Sequence, residues 1–236
     1  MKPAYIPLLL AIVASLLLLS SGPGTRLDLW EFGTGFRLLG AAAIVGLVAS
    51  AVALVMLLFP RIRRRGMAGL VVALVVGLAV AFVPWSGMQR ARSVPPIHDI
   101  STDTNRPPEF VAILPLRAEA PNPAVYGGPE LAAAQIGAYP DLKTHRMATA
   151  PAQAFERALQ VAQGLGWDIV SADAAAGRIE ATDTTFWFGF KDDVVIRIEP
   201  DAAGSRVDVR SVSRVGMSDV GANAARIRAF LKALGS

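Results

Sequence analysis

Three stretches free of charge open the chain: 4–21 (AYIPLLLAIVASLLLLSS), 38–59 (LLGAAAIVGLVASAVALVMLLF) and 67–85 (MAGLVVALVVGLAVAFVPW). Each approaches the ~20 residues that a helix needs to cross a bilayer. Inside lipid only a helix pairs its own backbone groups, so the pattern predicts three spanning helices. The periodicity then changes. Thr149 and Pro151 open a helical repeat of Phe155, Ala158, Leu159, Ala162 and Leu165, with Gly164 and Gly166 as its stop. Four runs of strand character follow, at 167–173, 177–188, 193–199 and 205–215, joined by links of hairpin length. A last helix is expected after Ser218, its N-cap, with Val220, Ala224, Ile227, Phe230, Leu231 and Leu234 on the apolar face.

The order helix, four-stranded antiparallel meander, helix predicts a two-layer α+β domain, because two amphipathic helices and one apolar sheet face must bury each other. The expected organisation is an all-α transmembrane region over 1–85, an extended Pro-rich arm over 86–109 and the α+β domain over 110–236. Paired prolines in the arm disfavour helix. FVAILPL (110–116) reads as a short edge strand, and PELAAAQIG as a turn of helix.

Strand alternation assigns the two faces. Ile179, Ala181, Val194, Ile196, Ile198, Val207 and Val209 point to the helices, leaving Arg178, Glu180, Arg197, Glu199, Arg206, Asp208 and Arg210 as a solvated mosaic of opposite charges. The same parity turns Asp183, Thr185, Trp187, Ser211 and Ser213 inward, which is unusual for a core. A bulge near Asp183 that reverses the parity and packs Phe186 and Phe188 inside is the expected explanation. The alternative is a polar pocket at the start of the last helix.

Composition locates the molecule. Hydrophobic residues make up 53% of 236, too many for one soluble domain, and the net charge of +4 is unevenly placed. Residues 1–96 carry nine Lys or Arg against two acids, a net of +7; residues 97–236 carry fourteen against seventeen, a net of −3. The basicity belongs to membrane topology, and the polar domain lacks the one-sided positive field that nucleic acid requires. The loop PRIRRRG puts four arginines between spans two and three, and such loops stay cytoplasmic. The amino terminus with Lys2 is then cytoplasmic too, and the polar domain periplasmic, beyond an inner or cytoplasmic membrane. The first span is expected as a retained anchor, because Pro23 would follow directly on a cut at Ser20 and Gly22. Ala42, Gly46 and Ser50 recur at helical spacing, either a seam for another helix or chance in an Ala-rich segment. With no cysteine, disulfides and thiolate chemistry are excluded.

Candidate chemistry is sparse. His98, Asp99, Asp103 and His145 could hold a metal or run acid–base chemistry if the fold brought them together. Asp192 and Asp193 are adjacent, so they face opposite sides of a strand and do not form a shared-proton dyad. No nucleophile elbow, zinc-helix, phosphate-loop or dinucleotide motif is present, and no cofactor is expected. The densest feature is TDTTFWFGFKDD, where Phe186, Trp187, Phe188 and Phe190 occupy five positions of a chain that is 7% aromatic. Alternation forbids all these rings from one face, so at least one is expected to be exposed. The candidate binding end is Trp187, Phe188, Phe190, Lys191 and Asp192 with Arg210, Arg214, Ser218 and Asn223.

GRIEATDTTFWFGFKDDVVIRIEP, SRVDVRSVSRVGMSDVGANAARIRAFL and PPIHDISTDTNRPPEF closely resemble a bacterial and plastid family catalogued only as a domain of unknown function, number 1499. The resemblance covers about residues 95–234 and implies no activity, cofactor or catalytic residue. The expectation is therefore a membrane protein whose non-catalytic domain binds a partner protein or small ligand, with the bilayer as its other partner. The rival is an enzyme or metal site built from His98, Asp99, Asp103 and His145.

Overall fold

The computed structural model describes residues 5–235. Lys2, the first residue of the expected first span and Ser236 lie outside the described residues. The chain divides into two compact units: residues 1–90 together with 186–189, and residues 91–185 together with 190–236.

In the first unit, α1 (Tyr5–Arg26), α2 (Phe32–Leu57) and α3 (Pro60–Arg92) are each long and apolar enough to span a membrane. All run beyond the charge-free windows, and non-helical backbone at Gly66 (φ −151°, ψ 18°) sets the arginine-rich first turns of α3 apart from its apolar part. The small residues of α2 do form a seam. A Cβ on Gly46 would stand 2.7 Å from the Gly77 carbonyl oxygen of α3, and Ser50 Oγ donates to the Leu74 carbonyl at 3.0 Å. Close backbone approach through small residues is the usual basis of helix packing in lipid, where apolar burial gives no advantage.

The second unit is an α+β domain. Its sheet, antiparallel throughout, runs β1 (Asp99–Ser101), β6 (Gly204–Ser213), β5 (Lys191–Asp201), β4 (Arg178–Thr184), β3 (Asp168–Asp173). A further strand, β2 (His145–Met147), shares the outer edge of β6 with β1: Asp99 lies opposite Val212, and His145 opposite Val207. The helices are α4 (Gly128–Ala138), α5 (Pro151–Gly164) and α6 (Ala222–Leu234). The four-strand meander and both amphipathic helices stand as expected, while β1 and β2 add two short strands.

Helices α5 and α6 cover one sheet face. Phe155, Ala158 and Ala162 of α5 and Ala224, Ile227, Phe230 and Leu234 of α6 close on Ile179, Ala181, Val194, Ile196, Ile198, Val207 and Val209. Trp167 stacks on Phe230 with centroids 5.4 Å apart. Each large aliphatic side chain buried here contributes ~1.5–3 kcal/mol by its removal from water.

The other face corrects the expectation of a solvated mosaic. Residues 102–126 cross it, and Phe110 and Ile113 pack with Ala124 on Val195, Val212 and Val170. Glu180 and Asp208 are wholly buried there and Arg210 is 1% exposed. Residues 102–126, the end of the expected arm and the stretch that follows it, are thus the third layer of the domain, entered through β1, and form the arm as the structure has it. The expected edge strand at 110–116 is absent; residues Leu114–Arg117 form a 3-10 turn with Pro115 in its first turn, where a missing N–H costs nothing.

Candidate functional site

The polar end of the helix face is real. β4 and β5 pair without a shift from Arg178–Arg197 to Thr184–Lys191, so no bulge lies near Asp183; the register shift is in β3, between Ile169 and Ser171. Asp183 and Asp192 are opposite one another and both turn inward. Arg226 of α6 fills the space between them. Its Nε donates to Asp183 at 2.7 Å and its Nη2 to Asp192 at 2.6 Å, while Nη1 donates to Ser211 Oγ at 3.1 Å and Asn223 Oδ1 at 2.6 Å. Asn223 Nδ2 donates in turn to Ser213 Oγ and the His98 carbonyl. The protein's own guanidinium therefore occupies the place of the alternative pocket. Two inward carboxylates are tolerable because a planar fork of five donors satisfies them at once.

The start of α6 is also corrected. The helix begins at Ala222, and the Ser218 hydroxyl accepts from Val220 N–H without reaching a helical donor. Asp219 accepts from Gly221 and Asn223 N–H. Burial pushes its carboxyl above the ordinary range, with the nearby Asp192 charge adding to the rise and the two backbone bonds opposing it.

The arm face is organised around carboxylates. Glu180 accepts from the N–H groups of Val111, Ala112 and Ile113 at 2.9–3.1 Å, ahead of the 3-10 turn, and from Arg178 Nε at 3.0 Å. Arg210 grips Asp99 with two bonds of 2.9 and 2.8 Å, and its guanidinium lies over the rings of Phe110 and Tyr126. Burial, together with the Asp99 charge, pushes the Tyr126 phenol up to about 12. Asp193 receives Arg117, Arg214 and the Thr182 hydroxyl. Asp208 receives Arg197, Arg206, Thr102 and Thr144. Burial opposes its ionisation, yet these bonds outweigh it and hold the carboxyl below its ordinary value.

The sequence-derived candidates are thus dispersed. Asp192 and Asn223 meet through Arg226 on the helix face, whereas Arg210 and Arg214 serve the opposite face. Lys191 is exposed and Phe190 half-buried; Trp187 and Phe188 belong to the unit of the spanning helices. His98, Asp99, Asp103 and His145 do not converge. His98 Nδ1 lies 3.4 Å from the Met217 carbonyl, Asp99 is held by Arg210, Asp103 by Arg197 and Arg206, and His145 sits on β2. Among the described residues no group of His, Asp or Glu has a metal-holding arrangement. Sequence reasoning missed Arg226 and Glu180. For Arg226 a signal existed: Asn223, Arg226 and Phe230 share one helix face by spacing, opposite the inward Asp183 and Asp192.

What the arm leaves open is a groove of about 370 Å³ where it meets the sheet. Pro107, Pro108, Val111 and Val195 form its apolar wall, Arg106, Arg178 and Arg197 supply three guanidiniums, and Glu109 supplies one carboxylate. Arg106 is 59% exposed and spends one nitrogen on Glu199; Arg178 spends Nε on Glu180 and holds Nη2 3.7 Å from the Asp173 carboxylate. Both keep further donors for water or a ligand.

The family described as "Protein of unknown function (DUF1499)" matches residues 99–234, more than half of the chain, and the chain belongs to that family. No curated protein matches it.

Proposed function

We propose that this DUF1499 member is a membrane-anchored, non-catalytic binding protein that holds its α+β domain outside the cytoplasm and takes a small carboxylate- or phosphate-bearing ligand in the groove of the arm face. The observation that carries this reading is the groove itself: an apolar wall of two prolines and two valines beside guanidiniums with donors to spare. That combination suits an anionic head joined to an apolar body, since arginine forks match carboxylate and phosphate geometry. A non-catalytic role is supported by the state of the carboxylates. A general acid or base must reach the proton it transfers on a substrate, whereas Asp99, Glu180, Asp193 and Asp208 are each buried and consumed in bonds to arginine or backbone N–H. The outward placement of the domain rests on the four arginines of the loop between α2 and α3.

The test is a thermal-shift titration of the full-length protein in nanodiscs with inorganic phosphate, pyrophosphate and succinate. At least one should raise the melting temperature saturably, and the Arg106→Ala, Arg178→Ala double variant should lose that rise. A response that is linear in salt, or unchanged in the double variant, would overturn the groove as the site.

A further inference from the structure

The tip of the β4–β5 hairpin belongs to the unit of the spanning helices, although both its strands belong to the domain. Residues 186–189 (FWFG) lie against the end of α1 and the start of α2. Phe188 packs on Phe36 with ring centroids 5.0 Å apart, and Phe36 meets Phe32 edge-on at 6.1 Å. The Trp187 indole rests on Gly22, where any side chain would collide with it, and a Cβ on Gly35 would stand 3.0 Å from Phe188 Cε1. Arg26 Nη1, at the last turn of α1, donates to the Phe186 carbonyl at 2.7 Å. Gly189 takes φ +72° with Arg26 directly beside it, a left-handed turn in which a side chain would be strained and crowded. Glycines at 22, 35 and 189 thus make room for two rings between helix ends.

One ring of the tip finds no such place. Phe186 is 85% exposed. The surface around the α1–α2 connection is of the same character: Leu27 and Leu29 are each 68% exposed, and Phe32 and Phe36 are 42% and 47% exposed. An odd number of spans returns α3 to this side, where Phe82 and Trp85 are 59% and 55% exposed. Trp, Phe and Leu crowded at span ends, with an arginine among them, are the composition of the bilayer interface. In water such a patch would be costly and association-prone.

We propose that the hairpin tip is a membrane-interface anchor: Phe186 enters the outer leaflet at the boundary of head groups and acyl chains, while Trp187 and Phe188 lock the tip to α1 and α2. The occupant of the exposed face is lipid. It lies at the ends of three helices that lipid must surround, and Arg26 supplies the basic head-group contact expected there. This is a role for the aromatic run distinct from ligand binding in the groove, and it stands or falls independently.

The chain has no cysteine, so a single nitroxide can be placed at will. The experiment labels Phe186→Cys in the full-length protein, reconstituted in liposomes of phosphatidylethanolamine and phosphatidylglycerol. Leu27→Cys and Ala202→Cys serve as references for the span end and for the exposed β5–β6 turn. Collision with oxygen and with a water-soluble nickel chelate is read by electron paramagnetic resonance. The expected result is an oxygen-to-nickel ratio at 186 severalfold above that at 202 and close to that at 27. A ratio equal to that at 202 places the tip in water and overturns the proposal. Low collision with both agents means a protein surface covers the ring, a second copy or a partner, and overturns it equally. Should the labelled 186 variant fail to fold, Phe186→Trp in a Trp187→Phe background provides the second measurement. The emission it adds to that of the Trp187→Phe protein, which keeps Trp30, Trp85 and Trp167, should be quenched by shallow spin-labelled lipid, and an unquenched increment would again overturn the proposal.

Discussion

The two faces of the domain's sheet use the same strands and bury opposite chemistry. The helix face is aliphatic over most of its length, with Val194, Ile196, Val207 and Val209 against α5 and α6. The arm face buries Glu180, Asp193, Asp208 and Arg210 beneath a segment with hardly any regular structure. A helix has its backbone groups already paired with one another, so it covers an apolar face or satisfies a polar one with side chains alone, as Arg226 and Asn223 do at the far end. Irregular chain has N–H and C=O groups to spend, and here three successive N–H groups go to Glu180 while carbonyls at Pro108 and Ala124 go to Arg210. A buried charge is stable only when its bonds are complete. The comparison teaches that the coat of each face is chosen by what the face needs to have satisfied.

The sharpest way to break the comparison is to remove a charge that the arm alone requires. Glu180→Ala orphans three backbone donors and uncouples Arg178, and it should cost about 3–5 kcal/mol, the range for breaking a buried charged interaction. Arg210→Met should cost a similar amount by stranding Asp99, yet combining it with Asp99→Leu should recover most of the loss, since matched apolar replacement of a buried pair is often neutral. Urea unfolding of the two single variants and the double variant checks both. If the double variant is no better than Arg210→Met, the bonds from Arg210 to the arm carbonyls matter more than the ion pair.

On the helix face the largest effect is smaller and of another origin. Ile227 is fully buried, and Ile227→Ala should cost roughly 2–4 kcal/mol through lost burial and a residual cavity. Its urea midpoint should fall with the slope unchanged.

That asymmetry also explains what could be read from the chain. Alternation in GRIEATD, VVIRIE and SRVDVRS located β4, β5 and β6; its parity holds through Asp183 and Ser213, where a reversing bulge was expected, because the period of two is unbroken there. The same alternation misjudged Glu180, Asp208 and Arg210, since parity says which side a residue faces and not what covers it. The cover, residues 102–126, has no period to detect; its order comes from side chains such as Glu180 and Asn122, which lie far from it or bond far beyond it in sequence. β1 and β2, three residues each, are too short for any pattern. Arg226 was overlooked for a different reason: a charged residue on an amphipathic helix is assigned outward by default, and only its spacing from Asn223 and Phe230, set against two inward aspartates, reverses that. In the membrane unit the spans were plain from composition, while the use of Gly46 against Gly77 depends on a crossing that sequence does not state.

Acid tests the comparison without mutation. Asp208 is held below its ordinary 3.8 by Thr144, Arg197 and Arg206. A depressed folded-state value means that its stabilising contribution is complete above about pH 4 and is lost as pH falls through the folded value. The melting temperature should therefore drop as pH is lowered below about 4, and less steeply in Asp208→Asn, which has already lost that linkage. An equal slope in both proteins would show that Asp208 contributes nothing to the acid sensitivity.

The smallest effect expected lies at the rim of the arm face. Arg206 makes the same kind of bonds as Arg210, donating to Asp103 and Asp208 at 2.8 Å, so geometry alone would rank the two together. Their surroundings separate them. Arg210 is 1% exposed, whereas the Arg206 side chain keeps 27% of its surface in water, where screening weakens the attraction and the freed partner can be hydrated. Asp208 is also not left alone when Arg206 is removed, because Arg197 Nη2 remains 2.9 Å away and the Thr102 and Thr144 hydroxyls still donate to it. Arg206→Ala should thus cost less than about 1 kcal/mol, several times less than Arg210→Met. Added salt should erode even that difference for Arg206 while leaving the Arg210 effect intact, since buried pairs are screened far less than exposed ones. A loss at Arg206 as large as at Arg210 would mean that the rim is as dry as the centre, and that the arm seals the face to its edge.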